Sequence, residues 1–248
     1  MDIVSYFHNN PEIAIAFSGG VDSAYLLYLA SKYAKKAHAY YVKTEFQPEF
    51  ELKDAKQLAD HCGIPLTVLP LSQLCRSEIC ANDRQRCYYC KLRIMATISE
   101  AARRDGFSLI ADGTNADDKE DDRPGFRALR ELGIRSPLRE LGLTKEQIRK
   151  SSKEAGLFTH DKPAYACLAT RISAGEPITL EKLQITETAE SFLHRLGFRD
   201  FRIRWNDGVA KLQINEEQFP LYYEKEAEIS TKLNTLYKSV LPHPEVRK

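Results

Sequence analysis

The chain has 248 residues, of which 43% are hydrophobic and 29% are charged, a composition typical of globular proteins that bury a substantial core. Its 36 basic and 35 acidic side chains nearly cancel, so the overall charge gives no attraction to nucleic acid or to anionic membranes. The sequence contains no apolar run as long as a membrane span, and its start is unlike a signal peptide. We therefore expect a cytoplasmic protein that contacts no membrane.

A run of apolar residues followed by a glycine turn stands near the start of the sequence. Residues 13–17, Ile-Ala-Ile-Ala-Phe, are typical of a buried parallel strand. Residues 18–20, Ser-Gly-Gly, predict a tight turn, and Asp22 and Ser23 suit the start of a helix. Such a strand, turn and helix form an anion site, because free N–H groups and the helix dipole point at a bound phosphate. The sequence contains neither a Walker loop nor a G-x-G-x-x-G motif.

Strands and helices alternate in the first half of the chain. The first helix starts at Asp22 and Ser23 and continues through residues 24–30. After it, the pattern predicts strands at 38–43, 66–69 and 108–111 and helices at 49–61 and 91–104. This alternation favours an α/β fold with a parallel sheet covered on both faces. The turn that begins at Asp112 and the turn at Ser18 both follow strands. Ligands bind at the carboxyl ends of such strands, so the two turns can share one nucleotide.

The second half of the chain shows a different pattern. We predict a charged surface loop at 116–123, a capped helix at 144–155, a helix at 179–196, two strands at 201–205 and 209–214, a helix at 221–240 and a frayed tail from 242. The Asp-Gly pair between the two strands predicts a hairpin. The sequence therefore predicts two domains, residues 1–170 and a smaller α+β domain at residues 171–248.

Four of the six cysteines fall within a short stretch of sequence. Cys87 and Cys90 form a C-x-x-C pair before the helix predicted at 91–104, and Cys75 and Cys80 precede them. Four thiolates are typical of structural zinc, although the spacing of Cys75 and Cys80 fits zinc poorly. Cys87 and Cys90 alone suit a redox dithiol. Cys167 has alanine on its amino side and polar residues nearby, and is either a core residue or part of a site.

Charged residues beside these elements are candidates for phosphate binding. Lys91 and Arg171 lie next to cysteines in the sequence and are either phosphate contacts or surface cations. Arg202 and Arg204 occupy alternate positions of a predicted strand and therefore point to one face. Such a pair either holds the phosphate of a substrate or forms a solvated basic face. Glu190, on the preceding helix, is a candidate to orient one of them.

The motif Ser-Gly-Gly-Val-Asp-Ser resembles the pyrophosphate loop of the PP-loop ATP pyrophosphatases, and nearly the whole chain resembles the LarE family. The blocks that carry this resemblance occur in the family's order: residues 18–23, 112–115, 136–138, 161–163, 167–171 and 202–204. The resemblance implies a PP-loop sheet domain, related to the adenine nucleotide alpha hydrolases, with a smaller C-terminal α+β domain that binds substrate and forms homo-oligomers. It also implies an enzyme that adenylates a carboxylate of pyridinium-3,5-biscarboxylic acid mononucleotide and inserts sulfur. That reaction belongs to the biosynthesis of the nickel-pincer nucleotide, the cofactor of lactate racemase.

The resemblance also implies cofactors and roles for individual residues. ATP and Mg²⁺ are the implied cofactors, with Asp22 as a metal or hydrogen-bond contact. The implied ATP-binding residues are Ser18, Gly19, Gly20, Asp22, Ser23, Lys91 and Gly113. The implied substrate-binding residues are Arg171, Glu190, Arg202 and Arg204. In one branch of the family the cysteine matching Cys167 gives up its sulfur and becomes dehydroalanine, and in the other Cys87, Cys90 and Cys167 hold a 4Fe–4S cluster as catalytic and metal-binding residues.

The presence of all three cysteines favours the cluster branch, with ATP, Mg²⁺ and a 4Fe–4S cluster as cofactors. In that branch Cys75 and Cys80 have no assigned role. A tRNA thiolase remains an alternative, since PP-loop enzymes with three-cysteine clusters also sulfurate uridine. The near-zero net charge and the lack of an added RNA-binding module argue against it. An amide-forming ligase and a nucleotide sensor without enzymatic activity are further alternatives.

Overall fold

The structure, a computed structural model, describes residues 2–118, 124–241 and 243–247. The described residues divide into two compact units. The first comprises Met1–Ser72 and Cys87–Lys162, and the second comprises Gln73–Arg86 and Pro163–Lys248. Most of the charged loop predicted at 116–123, and position 242 of the predicted tail, lie outside the described residues.

Helices and strands are numbered here in chain order. The helices are α1 Ile3–Asn9, α2 Val21–Tyr33, α3 Glu49–Cys62, α4 Ser77–Cys80, α5 Arg86–Arg104, α6 Gly125–Glu131, α7 Pro137–Glu140, α8 Lys145–Glu154, α9 Leu180–Arg195 and α10 Phe219–Asn234. The strands are β1 Glu12–Ala16, β2 Lys36–Lys43, β3 Leu66–Pro70, β4 Ile110–Asp112, β5 Arg202–Asn206, β6 Val209–Ile214, β7 Ser239–Val240 and β8 Glu245–Val246.

The first unit is built on a parallel sheet with the strand order β3-β2-β1-β4, which confirms the predicted α/β class. Side chains alternate across a strand, so β1 contributes to two cores. Ile13 and Ile15 pack on one face, in a core shared with α2, α3 and α8. Ala14 and Ala16 face a second core that includes Met95 of α5. Because both faces of β1 are covered, its apolar run is continuous.

The second unit contains a smaller mixed sheet. β5 and β6 form the predicted antiparallel hairpin, and Asp207 and Gly208 both have positive φ, as the tight turn between them requires. β7 and β8 pair with β6 in parallel. The prediction of a frayed tail is therefore wrong for Glu245–Val246, and the backbone N–H of Arg247 donates to the carbonyl of Ile214 at 2.8 Å. The short pairing of β7 also explains why α10 ends at Asn234 rather than near residue 240.

Two helix ends bear on the functional site. α5 begins at Arg86, so Cys87 and Cys90 lie inside its first turn rather than before the helix. α2 begins at Val21, one residue earlier than predicted, with Gly20 as its N-cap. Among the described residues, no helix combines the length and the apolar character needed to cross a membrane.

Candidate functional site

The turn after β1 is closed by hydrogen bonds between its own residues. Gly19 has a φ of +75°, and a Cβ on it would lie 3.3 Å from the carbonyl oxygen of Glu51 in α3, so this position strongly favours glycine. The hydroxyl of Ser23 lies 3.0 Å from that of Ser18 and donates to the carbonyl of Gly20 at 3.1 Å. Ser18 is exposed to solvent. The loop is thus fixed in shape and open on one side.

Helix α2 starts directly after this loop and has no side-chain cap among the described residues. The first N–H groups of a helix have no acceptor within the helix, and the positive end of its dipole lies at the loop, an arrangement that favours an anion. Asp22 lies in this first turn, and its Oδ2 accepts a hydrogen bond from the ammonium of Lys145 at the start of α8. Asp22 Oδ1 is buried and makes no hydrogen bond with any described residue. The sequence analysis missed Lys145, because no local pattern connects it with the loop.

The turn after β4 lies directly against the same helix. β1 lies between β2 and β4, so the connections leave β1 in opposite directions, and in parallel sheets ligands bind at the carboxyl ends of strands at such a switch point. A Cβ on Gly113 would lie 2.6 Å from the backbone nitrogen of Ser23, which restricts this position to glycine. The structure thus brings together the loop after β1 and the turn after β4.

Asp112 fixes the shape of the second turn. Its carboxylate accepts hydrogen bonds from the backbone N–H of Thr114 at 3.2 Å, from the Thr114 hydroxyl at 2.8 Å and from the Ser136 hydroxyl at 2.8 Å. The ammonium of Lys91 lies 3.6 Å from Asp112 Oδ2, and the Lys91 side chain is 35% exposed. Asp112 is therefore a satisfied structural acid, and Lys91 is a cation at the carboxyl edge of the sheet.

Arg171 and Glu190 form a buried ion pair in the second unit, with side chains 0% and 3% exposed. The guanidinium donates to both carboxylate oxygens, at 2.7 and 3.1 Å. Glu190 also accepts from the Tyr165 hydroxyl at 2.6 Å and from the backbone N–H of Ile203 at 3.1 Å. Burial opposes the charge of Arg171, but hydrogen bonds and attraction from Glu190 outweigh it and raise the pKa of Arg171. Both side chains are thus engaged inside the fold.

Arg202 and Arg204 lie two residues apart on β5, beside this ion pair. Arg202 donates to the carbonyl of Ala164, and Arg204 donates to the carbonyl of Thr170 at 2.6 Å. Burial, followed by the positive charge of Arg171, lowers the pKa of both guanidinium groups. A bound anion would offset this unfavourable concentration of positive charge.

The three cysteines singled out by the sequence lie at the starts of helices. Cys87 and Cys90 are three residues apart in the first turn of α5, so they occupy one face of that helix. Cys87 is exposed and Cys90 is partly exposed. Cys167 is the N-cap of the 3₁₀ helix Leu168–Arg171, and its carbonyl accepts from the N–H and the hydroxyl of Thr170 at 2.9 and 2.8 Å.

Arg86, the residue before the first of these cysteines, is buried in the second unit. Its guanidinium donates to the carbonyl of Ala169 at 3.0 Å and to the side-chain oxygen of Asn82. Asn82 has a φ of +56°, and its amide donates to the carbonyls of Ser173 and Glu176 at 2.8 and 3.1 Å. The segment that leads into α5 is therefore tied to the loop around the 3₁₀ helix.

The three cysteines supply thiolates, which are the donors that iron–sulfur clusters take. Cys87 is exposed, and Cys90 and Cys167 are partly exposed. Within the described part of the chain, no group of three or more His, Cys, Asp or Glu side chains is arranged to hold a metal ion. The thiol of Cys80 donates to the carbonyl of Leu74 at 3.4 Å, and Cys75 is exposed.

Comparison with known proteins identifies relatives over most of the chain. The asparagine synthase family profile matches residues 7–83. An uncharacterised protein of Synechocystis sp. is 37% identical over 88% of this chain and 82% of its own length. The pyridinium-3,5-bisthiocarboxylic acid mononucleotide synthase of Lactiplantibacillus plantarum is 28% identical over 86% of this chain and 78% of its own. The tRNA-specific 2-thiouridylase MnmA of Pseudothermotoga lettingae is 29% identical over 61% of this chain and 54% of its own.

Proposed function

The chain belongs to the LarE family of PP-loop enzymes, and on that premise we propose that it is an ATP-dependent sulfur transferase for a pyridinium mononucleotide. The proposed reaction adenylates a carboxylate of pyridinium-3,5-biscarboxylic acid mononucleotide and converts it to a thiocarboxylate. The product serves biosynthesis of the nickel-pincer nucleotide of lactate racemase. The observation that carries the proposal is the open anion site formed by the loop after β1 and the turn after β4. This site occurs in a chain that is similar to a pyridinium-3,5-bisthiocarboxylic acid mononucleotide synthase.

The first proposed step activates the carboxylate. A carboxylate oxygen attacks the α-phosphorus of ATP, the bond between that phosphorus and the bridging oxygen breaks, and pyrophosphate leaves with the bonding electrons. We assign the pyrophosphate to residues 18–20 and to the N–H groups at the start of α2, which have no side-chain cap. We assign a Mg²⁺ contact to Asp22 and a phosphate contact to Lys91, whose side chain is 35% exposed.

The second proposed step brings in sulfur. Hydrosulfide attacks the acyl carbon of the adenylate, the bond from that carbon to the phosphate oxygen breaks, and AMP leaves. We propose that Cys87, Cys90 and Cys167 hold a 4Fe–4S cluster, with the donor set of three thiolates as the support. Delivery of hydrosulfide is the chemistry that this group supplies when bound.

The competing sulfur source is Cys167 itself. Its thiolate would attack the acyl carbon and displace AMP. The Cβ–S bond would then break with loss of the Cα proton, which leaves dehydroalanine in the chain. This route uses neither Cys87 nor Cys90, so the presence of that pair supports the cluster.

The substrate is assigned to the arginines of the second unit. We propose that Arg202 and Arg204 bind the phosphate of the mononucleotide, because a bound anion offsets the cost of keeping two buried cations together. Arg171 and Glu190 form a buried pair that contacts β5, and we propose that this pair positions Arg202 and Arg204 for the substrate. We assign substrate binding and homo-oligomer contacts to the domain at residues 171–248. We assign ATP binding to the domain at residues 1–170.

Thiolation of tRNA is the second candidate function, and the similarity to the 2-thiouridylase favours it. The formal net charge of +1 weighs against it, since binding to a polyanion relies on excess positive charge.

One experiment separates the two functions. Anaerobically purified protein is given ATP, Mg²⁺ and hydrosulfide with either the mononucleotide or unmodified tRNA, and AMP and product masses are measured. We expect AMP and thiocarboxylate only with the mononucleotide. AMP formation and thiouridine only with tRNA would overturn the proposal in favour of the second function.

A further inference from the structure

The loop after β1 contains no cation of its own. Residues 18–23 are Ser-Gly-Gly-Val-Asp-Ser, so the only charged side chain among them is the carboxylate of Asp22. A polyphosphate bound there meets favourable N–H groups but also this negative charge. A nearby cation is therefore needed to complete the anion site.

Lys145 is the cation that contacts the loop. Its ammonium donates to Asp22 Oδ2, and the Lys145 side chain is 34% exposed. An ammonium has three N–H donors, and this bond uses one of them. Two other lysines of the first unit pair with acids outside the loop: Lys91 lies 3.6 Å from Asp112, and Lys162 lies 2.7 Å from Asp54.

The position of Lys145 is fixed by its own backbone. Thr144 and Gln147 form a capping box at the start of α8, and the backbone N–H of Lys145 donates to Asp117 Oδ2 at 2.7 Å. Ile148, one turn later, is fully buried in the core that includes residues of α2. The side chain of Lys145 therefore starts from a rigid point and ends at the loop.

We propose that Lys145 is a polyphosphate-binding residue, whose ammonium contacts the β- and γ-phosphates of ATP and then the departing pyrophosphate. The Lys145 ammonium would neutralise phosphate charge, as the lysine inside a Walker loop does. Asp22 holds the ammonium in place through Oδ2, and its buried Oδ1 makes no hydrogen bond with any described residue. This inference rests on the proposed function, because it names one further residue for the ATP half-reaction.

The test measures binding of inorganic pyrophosphate and of AMP by calorimetry. Lys145→Met removes the charge and keeps most of the stem, Lys145→Arg keeps the charge, and Lys150→Met changes an exposed lysine on the same helix. We expect Lys145→Met to weaken pyrophosphate binding about ten-fold, as for loss of one charge-assisted hydrogen bond, with AMP affinity unchanged. Lys145→Arg should recover most of the affinity, and Lys150→Met should behave as the wild type. Equal pyrophosphate affinity in Lys145→Met and the wild type overturns the inference.

A second measurement uses the unaltered protein and so does not depend on the folding of a variant. The rate of acetylation of Lys145 is followed by peptide mass spectrometry, with Lys150 as the internal reference. We expect saturating pyrophosphate to slow acetylation of Lys145 and AMP to leave it unchanged, whereas a purely structural ion pair predicts no effect of pyrophosphate. If the wild type binds neither ATP nor pyrophosphate, the proposed function fails together with this inference. If it binds both and Lys145 is not protected, only the inference fails.

Discussion

Gly113 and Ser23 are in direct backbone contact, because a Cβ on Gly113 would lie 2.6 Å from the Ser23 nitrogen and 2.8 Å from its Cα. The turn after β4 and the first turn of α2 therefore form one surface. That surface contains the N–H groups of the anion site and the edge where Lys91 meets Asp112. The two turns of the proposed nucleotide site thus meet at a glycine that has no side chain to separate them.

Gly113→Ala should destabilise the protein and weaken ATP binding together, because the added methyl group forces the two turns apart. We expect a loss of about 1–3 kcal/mol in the free energy of unfolding, typical of overpacking at a rigid contact. Gly125→Ala is the matched control, since its Cβ would meet nothing closer than Lys91 Cβ at 3.7 Å. Urea unfolding and ATP titration measure both effects. If Gly113→Ala and Gly125→Ala had the same unfolding free energy and the same ATP affinity, the contact between Gly113 and Ser23 would contribute to neither.

Gly20→Val should abolish adenylation and leave the fold nearly intact. Gly20 has a φ of −79°, and its Cβ would have ordinary contact with the Ser18 hydroxyl at 3.5 Å. The valine side chain would instead occupy the space of the pyrophosphate. We expect no AMP release and a change in unfolding free energy below about 1 kcal/mol. Gly19→Val should lose stability as well, because Gly19 has a φ of +75°. Normal AMP release by Gly20→Val would refute the assignment of this loop.

Glu190→Gln should act mainly on stability. The substitution leaves the buried guanidinium of Arg171 without its countercharge, which costs about 3–5 kcal/mol when one partner of a buried pair is removed. Glu181→Gln, on the exposed side of the same helix, should cost less than about 1 kcal/mol. Thermal and urea unfolding measure the difference. A variant of normal stability that has lost only mononucleotide binding would mean that Glu190 contacts the substrate itself.

The double substitution of Arg202 and Arg204 by Ala should weaken mononucleotide binding and leave ATP affinity nearly unchanged. The two guanidinium groups donate to the backbone carbonyls of Ala164 and Thr170, and we propose that they also bind the phosphate of the mononucleotide. Arg199→Ala, at an exposed position just before β5, is the control. Calorimetric titration with each ligand separates the two affinities. Equal losses for both ligands would show that these arginines do not distinguish substrate from ATP.

The sequence predicts the parts of the site whose signals are local. The apolar run of β1, the two glycines after it and the capping residue Thr144 each act through neighbouring residues, and the structure contains the elements they predict. The sheet follows from the alternation of these elements. The pairing of the loop after β1 with the turn after β4 then follows from the rule for parallel sheets.

The contacts that the sequence analysis missed join residues far apart in the chain. Lys145 and Asp22 are separated by 123 positions, and no local pattern around Lys145 connects it with the loop. Asn82 takes a φ of +56°, which asparagine tolerates better than most residues, but no local pattern indicates its hydrogen bonds to Ser173 and Glu176, about 90 positions away. The sequence also does not indicate that Arg171 is fully buried, because its partner Glu190 lies on a different helix.

The cysteines carry the sharpest prediction about sulfur. Ala substitution of Cys87, Cys90 or Cys167 should each remove most of the iron from anaerobically prepared protein. Cys62→Ala should not, because that thiol is partly buried and burial raises its pKa to about 11, which disfavours the thiolate that binds a metal. Metal analysis measures the effect. Stoichiometric zinc that survives the loss of Cys167 would indicate instead a structural site at Cys75, Cys80, Cys87 and Cys90.

The most direct test of the account is one sample analysed after many turnovers under anaerobic conditions with ATP, Mg²⁺, hydrosulfide and the mononucleotide. Iron content, product yield and the mass of the peptide that contains Cys167 are measured together. The account predicts about four irons per chain, several thiocarboxylates per chain and an intact cysteine at position 167. Dehydroalanine at that position, with no more than one sulfur transferred per chain and no iron at any stage, would contradict it.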